Sequence, residues 1–230
     1  MLLPGMAAAT TLLPLLQRLN SDFSVVLASG SPRRRELMHL MGFAAPQVRV
    51  STFAENLDKT AFASAADYCL ATAVEKGREV TQRMLSGGEW RGRTLLVSAD
   101  TVVEVDGLVL EKPADRDEAK AMLSRLGGNY HTVHTGVAVF LSKEPISGGG
   151  DSSSYTVRTL VESTRVRFAE LSPGDVEAYI ATGEPFDKAG GYGIQGLGAH
   201  MVERVEGCYF NVMGLPVRSL SKLIAQMLSE

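Results

Sequence analysis

One short segment of the sequence combines two hydroxyl side chains with three guanidinium groups: residues 29–35, SGSPRRR. It follows the apolar run 23–28 (FSVVLA), which has the length and β-branching of a buried strand, and Pro32 suits the first turn of a helix. The N-terminal end of a helix binds phosphate, whereas a purely structural helix favours acidic residues there. The segment therefore predicts a phosphate-binding turn. The alternative is an ordinary N-capped helix with a basic first turn.

Carboxylates and lysines elsewhere could complete such a site. Asp100 follows the apolar run 94–99 (TLLVSA), so we expect it at a strand end, where α/β proteins place ligand chemistry. Together with Glu55, Lys76 and Lys112 it would allow carboxylates to hold a divalent cation and lysines to hold phosphate oxygens. Spacing alone does not bring these four side chains together. Asp100 as a turn-capping residue is the alternative.

A glycine-rich stretch, residues 191–196 (GYGIQG), matches the dinucleotide-binding fingerprint letter for letter. That fingerprint requires a strand before it and a helix after it. The preceding residues are polar and turn-forming, and the following residues alternate like a strand. The pattern therefore favours a loop that brings backbone close to a ligand, with a plain tight connection as the alternative. A dinucleotide-dependent oxidoreductase is the least supported function.

Length and composition exclude several other classes of protein. The chain has 230 residues, 45% of them hydrophobic, which suits one large domain or two closely packed small ones. A net charge of −3 provides no broad basic surface, so we expect no nucleic-acid polymer as partner. Two cysteines, Cys69 and Cys208, form neither a disulfide framework nor a metal knuckle, which indicates an intracellular protein. Residues 1–19 are apolar but interrupted by prolines, so no membrane span is expected; they suit a helical extension or a transit peptide.

Strands and helices that must position these groups alternate along the chain. Apolar runs and alternation predict strands at 23–28, 47–51, 94–99, 101–105, 108–110, 130–141, 155–171 and 200–205. Asp106-Gly107 joins two of them as a hairpin. Helical patterns occupy 32–41, 62–85, 115–126, 172–183 and 215–228, and a glycine- and serine-rich loop occupies 142–154. We therefore predict an α/β fold: a mixed twisted sheet with flanking helices and two lobes around a central cleft.

Four segments of the sequence together resemble the Maf family of nucleoside triphosphate pyrophosphatases. They are LASGSPRRREL at 27–37, SADTVV at 98–103, GLVLEKP at 107–113 and PFDKAGGYGIQGLGA at 185–199. The resemblance covers residues 23–228 and implies a domain over 23–230, preceded by an N-terminal extension over 1–22. It also implies a fold similar to that of the inosine triphosphate pyrophosphatases, a Mg²⁺ or Mn²⁺ requirement and a homodimer. A cytoplasmic location is expected from the low cysteine content.

The same resemblance implies a role for each charged or polar residue above. Asp100 matches the proton acceptor, and Glu55 and Asp100 are the expected metal ligands; whether Asp100 acts as base, metal ligand or both is open. The residues expected to bind substrate are Ser29, Ser31, Arg33, Arg34, Lys76, Thr101, Lys112 and Gln195.

Three of these positions separate two branches of the family. Arg33, Thr101 and Gln195 match the branch that prefers dTTP and UTP, whereas a branch that reads 7-methyl-GTP carries Trp, Gln and Glu there. The expected function is hydrolysis of dTTP, UTP and modified pyrimidine triphosphates to the monophosphate and pyrophosphate, which clears them before polymerases use them. A non-catalytic nucleotide-sensing regulator of cell division is the alternative.

Overall fold

The structure, a computed structural model, describes residues 11–90, 92–142 and 155–230. Its strands are β1 (Ser24–Leu27), β2 (Gln47–Val48), β3 (Thr94–Val105), β4 (Leu108–Leu110), β5 (Tyr130–Ser142), β6 (Thr156–Phe168) and β7 (Val202–Glu206). Its helices are α1 (Leu16–Asp22), α2 (Pro32–Leu40), α3 (Ala65–Ser86), α4 (Arg116–Leu126), α5 (Pro173–Ala181), α6 (Tyr209–Met213) and α7 (Val217–Ser229).

The strands of these described residues form one mixed sheet. Its order is β2-β1-β3-β5-β6-β7, with β4 paired to β3. β1 runs parallel to β2 and β3, and the other pairs are antiparallel. Each parallel pair needs a crossover, and α2 and α3 lie in the connections from β1 to β2 and from β2 to β3. The predicted α/β class, a mixed sheet with flanking helices, is confirmed.

One edge of β3 is left partly uncovered, and the site lies there. β5 pairs with nearly the whole of the other edge. β1 and β4 therefore share the remaining edge, β1 as far as Val97 and β4 from Val103 onward. Within the described residues, no strand covers the stretch between them, which contains Asp100. The expectation that a strand ends at Asp100 is wrong, because pairing with β5 carries the strand on to Val105.

The pleat of β3 sends alternate side chains into different cores. Val97 and Ala99 belong to the larger cluster, which includes residues of α2, α4 and α7. Leu96 packs in a smaller cluster with residues of α3. Because side chains alternate along a strand, Asp100 faces α3 and its neighbour Thr101 faces the other side of the sheet.

α3 packs unusually close to the sheet beside Asp100. Gly136 lies opposite Asp100 in the register of β5, and a Cβ there would be 2.6 Å from Cα of Leu70. The buried Cys69 thiol donates to the backbone oxygen of Asp100 over 3.2 Å, and burial raises the pKa of this thiol, so it stays protonated. Lys76 follows Cys69 by two helical turns, on the same face of α3. The close packing therefore brings Lys76 over Asp100.

Local signals in the sequence predict some elements better than others. The hairpin is confirmed: Asp106 and Gly107 have φ angles of 51° and 75°, as a two-residue type I′ turn requires. The strand predicted at 47–51 is only two residues long, since it pairs with the short β1 over Gln47–Val48 alone. α6 was not predicted, because a five-residue helix carries too little periodicity to detect.

The predicted N-terminal extension contributes to the core in its described part. Leu12 and Leu19 are buried in the largest apolar cluster. The backbone N–H of Leu12 also donates to Ser221 Oγ over 2.9 Å, which ties the segment to α7. Residues 1–10 and nearly all of the predicted 142–154 loop lie outside the described residues. Among the residues that are described, no helix is long and apolar enough to cross a membrane.

Candidate active site

A cavity of about 530 Å³ lies at the uncovered stretch of β3. Its walls include the N-terminal end of α2, part of α3 and the glycine-rich loop before β7. All ten predicted site residues line it: Ser29, Ser31, Arg33, Arg34, Glu55, Lys76, Asp100, Thr101, Lys112 and Gln195. The fold thus gathers residues that spacing alone could not place together, while their individual roles stay predictions.

Lys76 lies between two carboxylates of this cavity. Its Nζ is 2.7 Å from Asp100 Oδ1 and 2.7 Å from Glu55 Oε2. The Lys76 and Asp100 side chains are each only 11% exposed. Burying a charged group is costly unless an opposite charge lies next to it, and these two side chains provide that for each other. Glu55 has a φ of 51°, a left-handed conformation that residues with side chains seldom adopt. Two carboxylates and one ammonium leave a net negative charge, which favours an additional cation.

The first turn of α2 forms a cradle of hydroxyl and N–H groups. Ser31 is the N-cap, and its Oγ accepts a hydrogen bond from the Arg34 N–H over 3.4 Å. Ser29 Oγ accepts from the Ser31 N–H over 3.2 Å. Pro32 occupies the first position, and the turn contains no acidic residue. Arginines at this end of a helix are opposed by the helix dipole, and a bound anion would offset that repulsion.

Arg34 is committed mainly to the protein itself. Its guanidinium makes four hydrogen bonds, to the backbone oxygens of Ala99 and Gly214 and to the hydroxyls of Ser29 and Thr101. Burial lowers its pKa, and Asp100 counteracts this shift. Because a guanidinium has five N–H donors, one is left for a ligand. The bond to Ala99 satisfies a carbonyl on the uncovered edge of β3, so Arg34 takes the place of a missing strand.

The three residues that separate the two branches of the family differ in how far their side chains are already bound within the protein. The Thr101 hydroxyl accepts from Arg34 over 2.9 Å and lies 3.0 Å from Thr135 Oγ1, which itself donates to the backbone oxygen of Asn211. Thr101 therefore donates to Thr135, and its hydroxyl is used within the protein. Arg33 pairs with Asp187 over 3.2 Å. Gln195 is exposed, with one contact of 3.3 Å to Glu36.

Lys112 is the most accessible cation of the set. It is exposed on the cavity wall and makes no hydrogen bond or ion pair with other described residues. The other predicted cations already have protein partners: Lys76 has two carboxylates, Arg33 has Asp187, and Arg34 has its four hydrogen bonds. Lys112 is therefore free to bind an incoming anion.

Four further titratable side chains line the cavity and were not predicted from the sequence: Glu111, Asp187, Lys188 and Tyr192. Glu111 accepts a hydrogen bond from Tyr68 over 2.8 Å and pairs with Lys59. Asp187 lies between Arg33 and Lys188, 2.5 Å from the latter. The only signal for them in the sequence was their position: Glu111 is next to Lys112, Asp187 and Lys188 come just before the glycine-rich stretch, and Tyr192 lies within it.

The residues present suit a divalent cation that arrives with a polyphosphate. Within the described residues, no group of three or more His, Cys, Asp or Glu side chains is close enough to form a metal site of protein ligands alone. Glu55 and Asp100 are within two hydrogen-bond lengths of each other, through Lys76. Mg²⁺ is commonly held by one or two carboxylates together with substrate phosphates and water. The pair fits this arrangement.

Comparison with known proteins shows extensive similarity. The family described as Maf-like protein matches residues 24–227. A dTTP/UTP pyrophosphatase of Acetivibrio thermocellus is 41% identical, over 87% of this chain and 93% of its own. One of Schizosaccharomyces pombe is 37% identical, over 99% of this chain and 93% of its own. A human protein named probable bifunctional dTTP/UTP pyrophosphatase/methyltransferase is 42% identical over 88% of this chain, which spans only 32% of that protein.

Proposed function

Because this chain belongs to the Maf family, we propose that it hydrolyses dTTP, UTP and modified pyrimidine triphosphates to the monophosphate and pyrophosphate. The names of its relatives, dTTP/UTP pyrophosphatases, support this substrate class. The observation that carries the proposal is the buried Asp100–Lys76 pair, extended by the exposed Glu55, in a cavity whose walls include the N-terminal end of α2. These side chains supply acid–base chemistry, and the helix end supplies an anion site.

The triphosphate would lie between the first turn of α2 and the lysines. Backbone N–H groups and the hydroxyls of Ser29 and Ser31 can donate to its phosphate oxygens. Lys112 supplies an unpaired positive charge at the cavity wall. Arg34 contributes through its one remaining N–H and, above all, by holding the adjoining segments in place.

Asp100 would act on the attacking water. Its Oδ1 accepts a hydrogen bond from Lys76, whereas Oδ2 has no partner among the described residues. Oδ2 is therefore available to orient a water molecule or accept its proton as the water attacks the α-phosphorus. The bond from the α-phosphorus to the α–β bridging oxygen breaks, and its electron pair leaves on that oxygen, which becomes a terminal oxygen of pyrophosphate; cationic side chains stabilise the charge that develops there.

We propose a Mg²⁺ or Mn²⁺ requirement, with Glu55 and Asp100 as protein ligands. A bound divalent cation neutralises phosphate charge and polarises phosphoryl oxygens. The residues give a reason for this requirement, since most cations of the cavity are already paired with Glu55, Asp100 or Asp187. Lys112 alone provides too little charge for a triphosphate.

The experiment is a pyrophosphate-release assay with a panel of triphosphates, with and without Mg²⁺. Asp100→Asn is expected to lower kcat on the order of 100-fold or more while the melting temperature and nucleotide binding stay close to wild type. Asp106→Asn, at the tip of the hairpin at the end of the same strand, is the matched control and should retain full activity. Wild-type turnover in Asp100→Asn, or orthophosphate as product, would refute the assignment. Binding without any turnover by the wild type would favour a nucleotide sensor.

We also propose a homodimer, on the resemblance to the family, and a cytoplasmic location, on the low cysteine content. Sedimentation equilibrium gives the oligomeric state, and a monomer at micromolar concentration would exclude the dimer. A fusion of residues 1–22 to a fluorescent reporter tests the location, since an organelle-restricted signal would show a transit peptide.

A further inference from the structure

Two glycines of the 191–196 pattern, Gly193 and Gly196, lie against a protein carboxylate, that of Glu184. Glu184 Oε2 accepts the N–H of Leu197 over 2.9 Å, and its Oε1 accepts the N–H of Gly198 over 3.2 Å. A Cβ at Gly196 would lie 2.5 Å from Oε1. Position 196 must therefore be a glycine, because Glu184 occupies the space that a side chain would need.

Tyr179 extends this anchor to the other side of the loop. Its hydroxyl donates to Glu184 Oε1 over 2.9 Å and accepts the N–H of Gly193 over 3.1 Å. The Gly196 N–H donates to the backbone oxygen of Gly193 over 3.1 Å, which closes a four-residue turn. Gln195 is at the third position of this turn, exposed, with anchored backbone before and after it.

The anchor carries a negative charge. Burial raises the pKa of Glu184, but the hydrogen bonds from Leu197, Tyr179 and Gly198 and the nearby charge of Lys188 lower it below its ordinary value. Lys188 also donates to the backbone oxygen of Glu184 over 2.6 Å. An ionised carboxylate accepts hydrogen bonds on both of its oxygens, whereas a neutral amide accepts on its one oxygen and its NH₂ group can only donate.

A fixed loop matters because a glutamine amide can form hydrogen bonds with two different kinds of base edge. A freely rotating amide can present its oxygen to a donor or its NH₂ to an acceptor, so it suits uracil and cytosine equally. Only an amide with a defined orientation distinguishes them, and this needs both a fixed backbone at Gln195 and the hydrogen bond that Gln195 Nε2 donates to Glu36, which leaves the amide oxygen to face the base. We propose that Glu184 is a positioning residue that fixes the turn carrying Gln195 and so determines the choice of UTP over CTP. This inference rests on the proposed function.

The test is Glu184→Gln, which keeps the shape of the side chain but replaces one acceptor oxygen with an NH₂ facing a backbone N–H. We expect the ratio of kcat/KM for UTP to that for CTP to fall about 10-fold, mainly through a higher KM for UTP, with kcat nearly unchanged. Tyr179→Phe should shift the ratio in the same direction and remains informative if Glu184→Gln does not fold. Glu177→Gln is the matched control, because this half-buried carboxylate on α5 forms its ion pairs with Arg116 and Lys120 among the described residues, away from the turn that carries Gln195.

An unchanged UTP-to-CTP ratio in both variants, or an equal loss for all nucleotides, would overturn the proposal. If the wild type turns over no nucleotide, the proposed function fails separately. The ratio of Kd values for UTP and CTP, measured by calorimetry, then still tests Glu184: it should fall in Glu184→Gln and stay constant in Glu177→Gln.

Discussion

Replacing Gly136 by alanine tests whether the close packing of α3 creates the active-site pair. The added methyl would lie 2.6 Å from Leu70 Cα, 2.7 Å from Leu70 N and 2.9 Å from the backbone carbon of Cys69. Since carbon atoms pack at about 3.5–4.0 Å, α3 must withdraw by roughly 1 Å. Overpacking of this kind costs about 1–3 kcal/mol, and the entropic gain from removing a glycine, roughly 0.5–1 kcal/mol, does not offset the upper part of that range.

A net cost of about 0.5–2 kcal/mol remains, so the melting temperature should fall by about 1–8 °C, because 1 kcal/mol corresponds to roughly 2–4 °C in a domain of this size. The shift also moves Lys76 away from Asp100, so kcat for UTP should fall on the order of 10- to 100-fold. Calorimetry and pyrophosphate release measure the two effects. Gly174→Ala on α5 is the control, because a Cβ there meets only Ser172 Oγ, at 3.6 Å. A Gly136→Ala variant with the melting temperature and kcat of the wild type would refute the packing argument.

Three further outcomes follow from burial. Burial lowers the pKa of His131 to about 4 from about 6.5, so the unfolded chain binds a proton first and the free energy of unfolding falls by roughly 3 kcal/mol between pH 6.5 and 4. Urea denaturation should show a smaller fall in His131→Phe and the full fall in His200→Asn. Deleting residues 1–20 removes two buried leucines and should lower the free energy of unfolding by about 3–6 kcal/mol; a truncated chain as stable as the full one would make this segment dispensable. Arg34→Lys should lower the melting temperature together with kcat/KM, whereas a raised KM at unchanged stability would indicate direct phosphate binding alone.

Features set by neighbouring residues were predictable from the sequence. The turn at 29–35 was recognisable because a strand pattern, a glycine and Pro32 stand together. The hairpin was recognisable because Asp106 and Gly107 tolerate the left-handed conformation that its turn needs. The grouping of site residues came from the family resemblance rather than from spacing.

Features set by distant residues were not predictable. Lys76 meets Asp100 only because Gly136, on another strand, lets α3 approach. The continuation of β3 past Asp100 depends on β5, which no local pattern around Asp100 reveals. Gly196 is required by a carboxylate outside the motif, that of Glu184.

The interrupted edge of β3 explains why this sheet can form an active site. In a complete sheet, Asp100 and Thr101 would face opposite layers and could not line one cavity. The gap between β1 and β4 removes the separating strand, so both residues line the same space. It also leaves the Ala99 carbonyl without a strand partner, and an unpaired buried carbonyl is costly. Arg34 supplies that hydrogen bond from α2, so the side chain that stabilises the gap also ties the anion-binding helix to the catalytic strand.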